Sequence, residues 1–338
     1  MAPKVFAWLS VMSHFQSSFV PSPSENFFIF YVPAEQAGCR LDHFLVRAVP
    51  EASRSILTES VRVGLIKVDS LERKSSYCLK AGECVAGSLF VVPAMDLLPE
   101  KIPFEILFED SYLLVLSKPP GLVVHPGSGN QTGTLVNGLL YHCQAIAGVG
   151  DDAVMPGIVH RLDKDTSGLM VVAKEEGTHR KLVDAFKARM VDKQYLALLH
   201  GILEQKTGRI VAAIGRHPVH RQKMAIKEDG RYAATSWQVL QEFSSGFSLV
   251  RLQIETGRTH QIRVHMASIG HPVAGDNVYS GGRGKRKFPR QLLHSTQLSF
   301  IHPVTGGSLV FSAPLWPDFS LILDQLADET KQVERECL

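Results

Sequence analysis

An α+β protein of two domains is predicted by three features of the sequence. At 338 residues the chain exceeds what one hydrophobic core comfortably serves. Residues 32–92 read as two short helices followed by small strands, whereas the longer remainder alternates strand-like apolar runs with amphipathic helices. Residues 93–103 hold three prolines and few features of a core, as a linker does.

Hydrophobic content of 45% and charged content of 20% fit an ordinary globular protein. The net charge of +3 is too small to announce a polyanionic partner, but its distribution is uneven. Lys206 to Arg231 carries seven bases against two acids, and Arg283, Lys285, Arg286, Lys287 and Arg290 add five charges with no acid among them. Residues 318–338 hold six acids and two bases and read as an acidic C-terminal tail. Either basic segment can meet phosphates, and either taken singly is equally a set of solvated loops. The five cysteines are irregularly spaced without a CxxC, which suggests reduced thiols in an intracellular protein. No apolar run approaches the ~18 residues of a membrane span, so no membrane partner is expected.

Residues 1–31 are rich in serine, poor in acids and nearly free of bases, and read as an extension that is either disordered or targeting. A transit peptide would place the protein in a chloroplast or mitochondrion, its absence in the cytoplasm. From Val32 the pattern tightens: Leu41, Phe44, Leu45 and Ala48 form a helical stripe ended by Pro50. A second helix starts near Ser53, with Leu57 and Val61 on its inner face, and strands follow at Leu65–Val68 and near Val85. With Arg54 and Lys67 among its bases, residues 32–92 resemble the S4-like RNA-binding module, in which Arg40-Leu41-Asp42 and Ser53-Arg54-Ser55 stand at the expected places. Asp69-Ser70 departs from the Asn-Gly turn usual there.

The larger domain spans 104–317. Ile106–Phe108 and Tyr112–Leu116 are strand-like, and a helix with Leu135, Leu139 and Leu140 follows Thr134. Gly127, Gly129 and Gly133 fit neither dinucleotide nor P-loop spacing, and a phosphate loop is rejected. The stretch His160-Arg161-Leu162-Asp163-Lys164-Asp165-Thr166-Ser167-Gly168 is a charged turn leading into the buried strand Leu169–Ala173. An Asp in such a turn often only caps its own backbone. Thr178–Arg189 reads as a helix, broken by Asp192-Lys193-Gln194 before the buried strand Tyr195–Leu199. Strand Ser248–Ile254 leads through Glu255-Thr256-Gly257-Arg258-Thr259-His260-Gln261-Ile262-Arg263-Val264-His265 into a helix capped by Thr259, with Ile262, Met266 and Ile269 inward. His260 and His265 lack HExxH spacing and an intervening acid, so no metal site is expected.

The turn around Asp163 resembles the signature of the RluA-type RNA pseudouridine synthases. Lys118-Pro119-Pro120-Gly121 through Pro126, Lys193-Gln194-Tyr195, the block from Thr256 to His265, Gly270–Asp276 and His302–Gly306 extend that likeness. It implies a catalytic domain built on a mixed, mainly antiparallel sheet with flanking helices. It also implies cofactor-free isomerisation of uridine to pseudouridine in RNA: the base leaves its stack, its N-glycosidic bond breaks, and C5 rejoins the same ribose carbon. The resemblance makes Asp163 the essential carboxylate, as nucleophile or base, with Arg263 its cationic partner and Tyr195 stacked on the uracil. Arg161 would hold phosphate or fill the space left by the flipped base, and His160, Arg258, His260, Gln261, Lys118, Arg54 and Lys67 would contact substrate or RNA. Ribosomal RNA is the favoured partner and transfer RNA the second; the chain is expected to be a monomer without an obligate protein partner. Two other readings remain: an N-glycosylase with Asp165 as second carboxylate, and a non-catalytic RNA-binding or ribosome-assembly factor.

Overall fold

The computed structural model describes residues 27–336 apart from 51, 53, 90–96, 128, 151, 153, 221–222 and 283–285. Two compact units divide between residues 95 and 96.

In the first unit, β1 (Phe27–Tyr31) is followed by α1 (Leu41–Ala48), α2 (Arg54–Arg62), β2 (Ile66–Val68) and β3 (Cys84–Ser88). The strands form an antiparallel sheet in the order β1-β3-β2. Leu41, Phe44 and Leu45 of the helical stripe are fully buried against Leu57 and Val61 of α2. Residue 32 is too late a start for this unit, because Phe27–Tyr31 pairs along β3 and Phe28 and Phe30 pack into the core. The serines nearby disguised an aromatic strand; the expected disorder or targeting of residues 1–26 lies outside the described residues. Asp69 and Ser70 have φ of 50° and 64°, the left-handed pair an Asn-Gly turn supplies. The Asp69 carboxylate accepts the Cys84 N–H at 2.9 Å, which helps hold this turn without a glycine. Asp42 receives both Arg40, at 3.0 Å, and Arg54, at 3.0 Å, so the two arginines of the expected motifs meet on one carboxylate.

The second unit runs β4 (Glu105–Glu109), β5 (Leu113–Lys118), α3 (Leu135–His142), β6 (Ser167–Ala173), α4 (Glu176–Lys187), β7 (Asp192–His200), β8 (Thr207–Val211), β9 (Ile214–Arg216), β10 (Met224–Ile226), β11 (Ala234–Phe243), β12 (Phe247–Ile254), α5 (Gln261–Ser268), β13 (Leu293–Ile301), β14 (Ser308–Ser312) and α6 (Pro317–Glu336). Among the described residues, nine strands make one sheet in the order β4-β5-β6-β13-β7-β12-β11-β8, with β14 on β13. Only β13 and β6 pair in parallel, so the sheet is mixed and mainly antiparallel. Strands β5 and β6 are buried along their whole length, as their unbroken apolar runs require. Asp192-Lys193-Gln194 opens β7 rather than separating it from a helix.

Two expected boundaries are corrected. The described part of the linker, 97–103, belongs to this unit: Leu97 packs on the core, and the Glu100 N–H reaches the Asn137 carbonyl at 3.0 Å. The acidic tail is helix α6, whose Phe319 and Leu326 are fully buried with Leu198, Phe243 and Phe247. Its charge is spent partly on the second basic segment. Asp318 takes the Arg290 guanidinium at 2.6 Å and Glu329 takes Arg286 at 2.7 Å.

Candidate active site

Asp163 sits in the turn that enters β6, and three successive carbonyls of that turn are pinned. The Thr166 N–H donates to the Asp163 carbonyl at 3.1 Å, the Lys118 ammonium to that of Lys164 at 2.9 Å, and Arg290 to that of Asp165 at 3.0 Å. The Gln291 amide donates to the Thr166 hydroxyl at 2.7 Å. Gly168 follows at φ +108°, where a Cβ would lie 2.1 Å from the Ser295 carbonyl oxygen; only glycine lets β6 approach β13 so closely. Every backbone constraint is thus met without using the Asp163 carboxylate, whose side chain keeps 25% of its exposure.

Arg263, on the buried side of α5, reaches that carboxylate from 100 residues away, Nη1 to Oδ2 at 2.8 Å. The rest of the guanidinium is fixed by Asp276: Nε donates to Oδ2 at 2.7 Å and Nη2 to Oδ1 at 3.0 Å, a bidentate fork. Asp276 Oδ1 also accepts the N–H groups of Val278 and Tyr279, and the guanidinium carbon lies 5.1 Å from the centre of the Tyr279 ring. Gly275 beside it has φ +78°, and a Cβ there would strike the Arg290 carbonyl oxygen at 1.8 Å. Burial disfavours the charge on Arg263, but the bonds and charge of Asp276 and the charge of Asp163 outweigh it and hold the group above the ordinary arginine range.

These groups border a cleft whose lining includes Arg161, Asp163, Tyr195, His260 and Arg263. Asp163 is its only carboxylate among the described residues, and Asp165 does not line it. Tyr195 is 6% exposed on β7. Burial, aided by the Asp163 charge and partly opposed by a hydrogen bond to Ser295, pushes its hydroxyl up to about 12, so it offers a ring face far more readily than a base.

Arg161 is exposed at the mouth and donates to the Thr259 hydroxyl at 3.1 Å. His260, not Thr259, precedes α5, with φ of 56°; its Nδ1 shares a 2.8 Å hydrogen bond with the Tyr279 hydroxyl and its Nε2 lies 4.0 Å from Asp163. Arg258 lines the cleft and donates to the Tyr232 carbonyl at 3.1 Å. Three expected RNA contacts brace the fold from within, although Gln261 also lines the cleft and His160 a groove beside it. Lys118 is fully buried, donating to the carbonyls of Pro119, Leu122 and Lys164, and burial lowers its pKa to about 7. His160 accepts the Val171 N–H at 3.0 Å, stacks on Phe186 at 4.7 Å, and is kept neutral by burial. Gln261 is 3% exposed and ties the Thr256 hydroxyl and the Arg258 N–H to the Ala234 carbonyl. In the first unit, Arg54 is exposed but paired with Asp42, and Lys67 points outward from the middle of β2. Asp276 and Tyr279 are the functional neighbours that sequence reasoning did not single out; a charged residue after Gly275, inside an otherwise apolar stretch, was the available signal.

A lone carboxylate, ion-paired to a buried arginine, shares its cleft with a buried tyrosine and two further arginines, an arrangement suited to an enzyme acting on an anionic substrate. Residues 112–268 match the family described as RNA pseudouridylate synthase. The chain is 42% identical over 292 residues to an uncharacterised RNA pseudouridine synthase of Bacillus subtilis, covering 86% of this chain and 95% of that one. It is 42% identical over 311 residues to the ribosomal large subunit pseudouridine synthase D of Pseudomonas aeruginosa, covering 88% and 95%. Among solved structures, human RNA pseudouridylate synthase domain containing 1 aligns with a TM-score of 0.53 at 29% identity, covering 69% of this chain and 96% of that chain. The chain belongs to the RNA pseudouridine synthase family and is an isomerase of uridine in RNA.

Proposed function

We propose that this enzyme converts specific uridines of large-subunit ribosomal RNA to pseudouridine, acting as a monomer without an obligate protein partner. The observation that carries the reading is the 2.8 Å Asp163–Arg263 pair at the edge of a cleft that otherwise lacks carboxylates among the described residues. An extruded uridine enters with its uracil against Tyr195 and its ribose toward Asp163. Asp163 then acts at the sugar as nucleophile or base, while Arg263 keeps the carboxylate oriented. Arg161, at the mouth, meets the RNA backbone or occupies the vacated stack, and Arg258 and His260 complete the wall. A glycosylase built on two carboxylates is disfavoured, since Asp165 does not line the cleft and Asp276 is committed to Arg263.

The first unit serves as an S4-like RNA-binding module, with Lys67 and the Arg40–Asp42–Arg54 cluster on its surface. Sequencing the mature N-terminus decides between import into an organelle, with the extension removed, and residence in the cytoplasm. The function is tested by tritium release from RNA labelled at uridine C5, together with pseudouridine maps of cells with and without the protein. Release of label with the base retained, at large-subunit ribosomal positions, is the expected result. Free uracil would overturn isomerisation, and changes confined to transfer RNA would move the substrate there.

A further inference from the structure

Beside the cleft lies a second, larger groove. Arg161, Tyr195 and Arg258 line both, so the two spaces adjoin. Asp163 lines the cleft and not the groove, so the ribose of the target uridine belongs to the cleft and the groove is left open. The groove includes apolar Ile158, Val183 and Phe186, and Phe186 is steadied by the stacked His160 ring. Lys187, Arg189 and Arg231 add cations to those shared with the cleft. Glu255, the acid among the lining residues, is engaged by Arg209 and by the Tyr232 hydroxyl and lies 3.9 Å from Arg189, whose guanidinium carbon sits 4.7 Å from the centre of the Tyr232 ring. Burial, then the charges of Arg231 and Arg189, lower the pKa of Arg258, as expected where cations converge on space meant for an anion.

Arg189 itself stands in a disfavoured conformation. It follows α4 with φ of 61°; its N–H donates to the Phe186 carbonyl at 3.2 Å and that of Met190 to Ala185 at 2.9 Å. This is the helix-ending turn in which glycine is usual. An arginine that carries such strain while its side chain lines the groove points to a role for that side chain.

We propose that the groove is a second nucleotide subsite, which receives the unpaired nucleotide flanking the target uridine, its base on Val183 and Phe186 and its phosphate among Arg189, Arg231 and Arg258. This rests on the uridine-isomerising reading and adds a rule of choice: a uridine with an unpaired neighbour is preferred to one in an unbroken duplex. Two variants test it. Arg189→Gly suits the backbone at φ 61° and removes the charge; Val183→Trp, at a partly buried position on α4, fills the floor. Each is expected to raise KM about tenfold with a much smaller change in kcat, and Arg189→Gly to lower the salt slope of RNA binding by about one. Replacing each flanking nucleotide in turn by an abasic one should, at one of the two positions, raise the unmodified enzyme's KM by about tenfold and leave Val183→Trp with no additional loss. Wild-type KM in both variants, or a Val183→Trp defect equally large on every abasic RNA, would overturn the subsite. Pseudouridine formation in the same assays, at raised RNA concentration, shows separately that the catalytic assignment holds.

Discussion

Arg263 is gripped by two aspartates, and the turns that carry them are built on opposite plans. Around Asp163 the scaffold bonds to backbone: Lys118, Arg290 and Thr166 hold the carbonyls, and the carboxylate keeps Arg263 and a quarter of its exposure. Around Asp276 the scaffold bonds to the side chain itself, which is fully buried and accepts two bonds from Arg263 and two from backbone N–H groups. A carboxylate consumed by its surroundings is structural, whereas one whose turn is stabilised around it stays available for reaction. Residue type and partner are the same; the atoms used by the scaffold tell the roles apart.

The contrast is broken most severely at the reactive member. Asp163→Asn should cut pseudouridine formation on the order of 10⁴-fold or more, with little change in melting temperature or RNA affinity. Substantial turnover by that variant on a verified substrate would sink the catalytic assignment. Asp276→Asn should do the reverse in emphasis, lowering folding stability by about 3 kcal/mol because a buried cation loses its principal counter-charge. Denaturant titration of the two variants side by side measures the difference, and equal stabilities would erase the distinction drawn above.

A pH effect sharpens it further. His294 accompanies the Asp163 side, its Nδ1 sharing a 2.9 Å hydrogen bond with the Ser167 hydroxyl at the start of β6. Burial lowers its pKa to about 4 from an ordinary 6.5, so the folded chain binds fewer protons than the unfolded one. The stabilisation is whole above the unfolded value and fades as pH falls toward the folded one, amounting to about 2 kcal/mol lost near pH 4.5. Replacing His294 by Gln should remove this share of the acid dependence, measured as the difference in unfolding midpoint between neutral and acid buffer. The smallest effect is expected at Asp318→Asn, about 1 kcal/mol, because that carboxylate is 31% exposed. A fall of a few-fold in kcat should accompany it if Arg290 then loosens the Asp165 carbonyl, and an unchanged kcat would show that Lys118 and Thr166 suffice.

Local patterns were the most legible. The stripe Leu41, Phe44, Leu45 and the helix after Thr134 appear where periodicity places them, since it depends on neighbours within a few residues. Lys118 was misread because its partners' roles are fixed by folding: a lysine after an apolar run looks like a free cation until the Lys164 carbonyl, 46 positions away, closes over it. Asp276 was passed over for the same reason. The acidic tail was a different error. Phe319, Ile322, Leu323 and Leu326 recur at helical spacing, and that signal was present but outweighed by net charge.

The two charge excesses at 286–290 and 318–329 therefore describe one contact between distant parts of the chain, with a mechanical consequence. Arg290 clasps the first turn of α6 with one edge of its guanidinium and the Asp165 carbonyl with another. A polypeptide severed before Pro317 would retain every residue bordering the cleft and still leave that arginine buried without its counter-charge. The damage would travel two residues back along the turn to Asp163, the proposed catalytic carboxylate, so the C-terminal helix acts as a tensioner on that turn through Arg290.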